Sequence, residues 1–160
     1  MKRPAQKLAN FLRQNKLTIA LAESVTCGLA AHKLGTVSGT SEFLKASIVC
    51  YDEQVKVNLL KVGRGLIKKY TTESQQVTDA LAKNISKLVK ADIHAAVTGL
   101  AAPGGSETRS KPVGMVFFSV YHKRKLKHIS RKFNGNPLAI KKKSCDELFS
   151  FIVKSVAAWK

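Results

Sequence analysis

The sequence predicts a single α/β domain over residues 1–160, with three layers (α/β/α), a mixed sheet, and a C-terminal hairpin plus helix. Three observations carry this expectation. Short apolar runs of strand length ("LTIALA", "LKASIVCY", "IHAAVTGL") alternate with longer segments whose apolar residues recur at helical spacing. Two further apolar runs, 113–122 and 125–133, stand two residues apart and read as a hairpin. A chain of 160 residues with 44% hydrophobic content is large enough to build one core without staples. No internal repeat, linker or second domain interrupts it.

Taken in order, Pro4 to Asn15 places Leu8, Phe11 and Leu12 at helical spacing, and "LTIALA" (17–22) follows as a buried strand. Thr26 to Leu34 reads as a helix whose Gly28, Ala30 and Ala31 permit close packing, ended by Gly35. "TVSGTSEF" is a polar connection into the strand "LKASIVCY" (44–51). Asp52 then caps a helix running through Leu60, with Val55, Leu59 and Leu60 sharing a face. Ser74 is the N-cap of the next helix, which carries Val77, Leu81, Ile85, Leu88 and Val89. "IHAAVTGL" (93–100) is a strand that empties into the Gly/Pro/Ser loop "AAPGGSETRSKP". The hairpin turns around Lys123 and Arg124, and its second strand alternates apolar and polar residues as at a sheet edge. Leu138 to Trp159 closes the chain with Ile140, Leu148, Phe151, Ile152 and Val156 in helical register.

Composition narrows the function classes. The N-terminal segment has charges where a signal peptide needs an apolar core, and no stretch is long enough to span a bilayer. Cys27, Cys50 and Cys145 are scattered and odd in number, and the four histidines lack metal-ligand spacing. Neither a disulfide framework nor a metal site is expected, and a reducing, cytoplasmic setting fits best. Lysine plus arginine number 28 against 10 acids, a formal net charge of +18. Such a field attracts polyanions and small anionic substrates alike. The cations are dispersed and lack aromatic interleaving, so nucleic acid is not the expected partner.

Three segments leave strands with polar residues attached: "AESVTCG" (22–28), "YDEQVK" (51–56) and "TGLAAPGGSETRSKPVG" (98–114). In open α/β sheets, ligands collect where such segments converge. Ser24 and Thr26 stand at a helix mouth, where hydroxyls serve either as caps or as reactive groups beside free amides. The loop lacks the G-K-[ST] ending of a P-loop, and Phe43 occupies the position that a G-x-S-x-G elbow reserves for glycine. A hydrolase on this chain would draw its base from a distant segment, where "YDEQVK" offers Lys56 and Tyr51.

Together the three segments resemble the CinA C-terminal domain family, whose members include nicotinamide-nucleotide amidohydrolases. The family's "AES-C-T-G-G", "Y-S-N-E-A-K" and "T-G-I-A-G-P-G-G…K-P-V-G" patterns stand here in the same order and spacing. The resemblance implies hydrolysis of the carboxamide of nicotinamide mononucleotide to nicotinate mononucleotide and ammonia, with no cofactor. It implies Ser24 as nucleophile, Lys56 as base within hydrogen-bond reach of it, and Tyr51 as assisting hydroxyl. The expected substrate-binding set is Glu23, Thr26, Gly28, Thr98, Gly99, Gly104, Gly105, Lys141 and Lys142. Within it, Thr26 caps the helix, Glu23 orients Lys56 or the helix start, and the amides around Thr26 to Gly28 stabilise the oxyanion. Thr98 and the amides of Gly104 and Gly105 are placed near a ligand anion.

Departures from the pattern are local. Cys27 and Ala102 replace glycines, Asp52, Glu53 and Gln54 replace Ser-Asn-Glu, and Pro137 stands where an arginine is usual. Lys141 and Lys142 keep positive charge near that position. The alternative reading is therefore a catalytically degenerate relative that binds a nucleotide or an acidic partner. A small-molecule nucleotide is the expected partner, and a homo-oligomer is left open.

Overall fold

The computed structural model describes residues 4–159. Five strands form one mixed sheet: β1 (Ile19–Glu23), β2 (Leu44–Val49), β3 (Ile93–Gly99), β4 (Met115–His122) and β5 (Lys125–Lys132). Their order is β2-β1-β3-β4-β5, with β1 parallel to both neighbours and β3, β4 and β5 successively antiparallel. Among the described residues six α-helices cover the two faces: α1 (Pro4–Gln14), α2 (Leu29–Gly35), α3 (Glu53–Asn58), α4 (Arg64–Tyr70), α5 (Gln75–Leu88) and α6 (Pro137–Ala157).

Strand alternation builds two cores from one sheet. Ile19 and Leu21 of β1, with Ile93, Ala95 and Val97 of β3, join Leu8 and Leu12 of α1, Leu34 of α2 and Leu148 and Ile152 of α6. Ala20 and Ala22 of β1 and Ala96 of β3 face the other way, onto Leu60, Val77, Leu81 and Ile85. A buried two-sided β1 has no polar face to show, which is why its sequence reads as a continuous apolar run. On β5 the exposed residues include Lys125, Arg131 and Lys132, cations that guard an unpaired sheet edge.

Most expected elements are present with trimmed ends, and three readings are corrected. The second helix begins at Leu29 rather than Thr26, because residues 24–28 form a turn. The helix after Asp52 ends at Asn58, and a further helix, α4, follows in "KVGRGLIKKY". That stretch carries two glycines and no helical repeat, so only the burial of Ile67 marks it. The caps at Asp52 and Ser74 accept from Gln54 N–H (2.7 Å) and Val77 N–H (3.3 Å), as expected. Asn136 caps α6 by accepting from Ala139 N–H (2.9 Å).

The hairpin turn falls on Lys123 and Arg124, both with positive φ (48° and 62°), the backbone of a type I′ turn. Neither side chain favours that region. Arg124→Gly is expected to stabilise the fold by about 1 kcal/mol, read as a higher denaturant midpoint at unchanged m-value. A lower midpoint would show that the arginine side chain contributes more than its backbone costs.

Candidate active site

β1 hands the chain to α2 on one face of the sheet, whereas β3 hands it to a long loop returning as β4. The two connections diverge at the carboxyl ends of adjacent parallel strands, where α/β sheets open a crevice. A cavity of about 270 Å³ lies there. Ser24 and Val25 from the end of β1, Tyr51 from the end of β2 and residues 99–105 from the end of β3 line it, with Glu73, Pro137 and Lys141. The three segments singled out in the sequence therefore meet in one wall.

Ser24 extends the β1 ladder by one bond, its N–H donating to Val97 O (3.0 Å). Its side chain is almost buried, and no described residue hydrogen-bonds its hydroxyl, which leaves Oγ free toward the cavity. Glu23, one residue earlier, is fully buried. Its carboxylate accepts from Thr26 Oγ1 (2.7 Å), Ser47 Oγ (2.7 Å), Ala30 N (3.0 Å) and Ala31 N (2.9 Å). Four donors saturate its acceptor sites. Glu23 caps α2 from the adjacent strand and makes no bond to Lys56, so of its two expected roles the helix start is the one realised. Thr26 is not the cap, because its hydroxyl is turned to Glu23. Gly28 is the N-cap residue, with φ 87° and no side-chain cap bond, and is absent from the cavity wall. The Cys27 amide donates back to Ser24 O (3.1 Å) and is not directed at the cavity.

Lys56 is the buried residue of α3, 1% exposed, in a helix otherwise open to solvent on one side. Asp52 sets the start of that helix, and its first turn carries Lys56 inward. The Lys56 ammonium donates to the main-chain oxygen of Tyr51 (2.9 Å). No hydrogen bond joins it to Ser24 Oγ among the described residues, so the expected direct pair is not formed. Burial lowers the Lys56 pKa from the ordinary lysine value, opposed by the nearby carboxylates of Glu73, Asp52 and Glu53. The Tyr51 side chain is 65% exposed at the cavity mouth. Cys50, next to it, is pushed up to about 11 by burial and so stays an unreactive thiol.

The glycine loop is tightly held. A Cβ at Gly99 would stand 2.6 Å from Met115 O, so only glycine lets β3 pass β4 this closely. Gly104, at φ 94°, donates its N–H to Glu107 Oε1 (2.7 Å), and that bond holds the Glu107 carboxyl below the usual range. The amide expected to face a ligand anion is thus already engaged by a carboxylate of the same loop. Lys111 Nζ donates to Ser106 Oγ (2.7 Å) and to Thr71 Oγ1, while Ser106 Oγ donates to Glu73 Oε2. These bonds tie the loop to the α4–α5 connection.

Six expected residues lie off the cavity wall: Lys56, Glu23, Thr26 and Gly28, and also Thr98 and Lys142. Thr98 is fully buried and shares a 2.8 Å hydrogen bond with Thr78 Oγ1, which itself donates to Ser74 O (2.6 Å). With its single proton so used, Thr78 is the acceptor and Thr98 the donor. Lys142 is exposed and is not part of the wall that Lys141 lines. Lys141 and Pro137 are one helical turn apart on α6, so they share a face, and Lys141 places its charge where Pro137 has none.

The CinA C-terminal domain family matches residues 1–156. The chain belongs to that family. A CinA-like protein of Dictyoglomus thermophilum is 36% identical over 129 residues, which is 81% of this chain and 31% of that protein. A CinA-like protein of Fusobacterium nucleatum is 37% identical over 133 residues, covering 83% of this chain and 32% of its own length. The chain thus spans about a third of the length of these curated relatives. The solved competence damage-inducible protein A of Klebsiella pneumoniae subsp. pneumoniae superposes with a TM-score of 0.93 at 23% identity, covering 99% of this chain and 100% of that one. A CinA superfamily protein of Klebsiella pneumoniae gives 0.92 at 24% identity, over 98% and 97% of the two chains. At this identity the two structures share the fold.

Within this CinA domain, sequence reasoning overlooked Glu73 altogether. It precedes the N-cap Ser74, and that position looked like helix punctuation. The signal available was its place beside a helix start at the same sheet edge as the other three segments. Among the described residues no helix is long and apolar enough to cross a membrane.

Proposed function

We propose that this CinA domain is an amidohydrolase that hydrolyses the carboxamide of nicotinamide mononucleotide, releasing ammonia. The observation that carries the reading is Ser24: a hydroxyl with no hydrogen-bond partner among the described residues, at a strand end, in the wall of the cavity where the three segments meet. Ser24 Oγ attacks the amide carbon, and its proton passes to Lys56. A lysine acts as base only when neutral, and burial favours that form. Tyr51 links the two segments: its main-chain oxygen accepts from the Lys56 amine, and its side chain lines the cavity that Ser24 also lines. Catalytic hydrogen bonds often tighten only when substrate is bound, so the resting Lys56 contact is compatible with this role. Lys56 then gives that proton to the amide nitrogen, the C–N bond breaks and ammonia leaves, and water cleaves the resulting acyl-enzyme to give the nicotinate product and regenerate Ser24. Lys141 in the cavity wall supplies a cation for the phosphate of the mononucleotide.

The competing reading is a nucleotide-binding relative without turnover, favoured by the Lys56 bond to backbone and by Pro137 in the wall. Purified protein incubated with nicotinamide mononucleotide separates the two. Stoichiometric ammonia and nicotinate mononucleotide are expected, absent from Ser24→Ala. Saturable binding without ammonia would favour the binder.

A further inference from the structure

We propose that Glu73 is a specificity-determining residue that admits the carboxamide and rejects the carboxylate, so that the product is expelled from the site that made it. The inference rests on the amidohydrolase reading and adds to it a residue that the sequence patterns did not single out.

Glu73 is half-buried and lines the same cavity as Ser24 and Tyr51. In a chain of 28 basic and 10 acidic residues, it is the carboxylate in that wall. Its position is fixed from both sides: Thr72 Oγ1 donates to Oε1 (2.6 Å), and Ser106 Oγ donates to Oε2. Each carboxylate oxygen has two acceptor sites, so each keeps one for a ligand. Lys111 reaches Ser106 and Thr71 but has no bond to Glu73 itself, so among the described residues hydroxyls brace the acid and no direct ion pair is made, while the charges of Lys56 and Lys111 act on it from further off.

The reaction changes one feature of the ligand. A neutral carboxamide carries two N–H donors, and the carboxylate that replaces it carries none and gains a negative charge. An acceptor-only anion in the wall can satisfy the first and must repel the second. A site that hydrogen-bonds a donor discriminates strongly against the analogue lacking it, and like charges add to the difference. Without such a residue, the basic field and Lys141 would hold the more anionic product more tightly than the substrate.

The experiment is equilibrium binding of nicotinamide mononucleotide and nicotinate mononucleotide to wild type, Glu73→Gln and Ser106→Ala, with ammonia release measured in parallel. Wild type is expected to bind the amide at least about tenfold tighter than the acid, and Glu73→Gln to bring the two within about threefold, mainly by tightening the acid. Ser106→Ala loosens the brace while keeping the charge, so its amide-to-acid ratio should stay at the wild-type value. If Glu73→Gln weakens both ligands equally, or leaves the ratio untouched, Glu73 is a structural brace and the proposal is overturned. Ammonia release with an unchanged ratio overturns this proposal alone. A collapsed ratio without ammonia from wild type overturns the amidohydrolase reading and leaves the selectivity standing. Binding of neither nucleotide overturns both. Should Glu73→Gln melt early, Glu73→Asp is the second variant: it keeps the charge and is expected to keep the ratio.

Discussion

Lys56→Met should abolish ammonia release, by about 10³-fold or more in kcat/KM, while leaving the melting temperature unchanged or raised. The two outcomes come from the same fact. Lys56 is 1% exposed on a short helix, and taking an ammonium out of water opposes folding. A methionine of similar length fills the space without that cost and gives up one bond, to the main-chain oxygen of Tyr51. A residue that costs stability where it sits is there for another reason. The pH dependence has a definite sign. Only the neutral amine can take the Ser24 proton, so wild-type kcat/KM should rise with pH and level off below the ordinary lysine range, because burial lowers the Lys56 pKa. Stability should move the same way. Below the folded pKa both states hold the proton and the burial cost is full, and between the folded and unfolded values the native state sheds it and gains stability. Wild type should therefore gain on Lys56→Met as pH rises through that window. Full turnover by Lys56→Met would remove the lysine from the mechanism, and a large drop in its melting temperature would make it a structural residue.

The sheet and most helices were legible in the sequence because burial leaves a trace, a continuous apolar run in a two-sided strand and a helical period in a helix. "IHAAVTGL" is such a run and is β3, and Val77, Leu81 and Ile85 carry the period in α5. The α4 helix has none, since one buried residue, Ile67, does not make a period. The site was legible where chain order alone carried it: segments after parallel strands must emerge at one sheet edge, so Ser24, Tyr51 and Gly99–Gly105 converge. What the sequence withheld were the partners. A glutamate beside a serine does not disclose that its carboxylate serves the next helix. Nor does Gly104 disclose that Glu107, three residues on, already takes its amide. Side-chain direction decides such matters, and it is fixed by packing between segments far apart in the chain.

Glu23→Ala is expected to be the most destabilising single change near the site, by about 4 kcal/mol or more, which lowers the melting temperature by roughly 10 °C in a domain of this size. Four donors converge on the buried carboxylate, and two of them, Ala30 N–H and Ala31 N–H, belong to the first turn of α2. That helix has no side-chain cap of its own, because Gly28 supplies none and Thr26 donates to Glu23. Removing the acceptor leaves the buried Ala30 amide without its partner and takes a bond from the half-buried Ala31 amide, and each unsatisfied buried donor costs about 1–3 kcal/mol. Removing a donor is milder, since the carboxylate keeps three other partners, so Ser47→Ala should cost only about 1 kcal/mol. Glu23→Gln should fall between, as its NH₂ group must face one of the donors. The geometry of Ser24 depends on the same network, because the 24–28 turn runs between the strand that carries Glu23 and the helix that Glu23 caps. Glu23→Gln protein that remains folded at low temperature should consequently show reduced turnover with an unshifted pH profile, which separates support of Ser24 from any action on Lys56. A shifted pH profile would return Glu23 to the role of orienting the lysine, and melting temperatures within about 2 °C of wild type for Glu23→Ala would show that α2 does not rely on the strand for its cap.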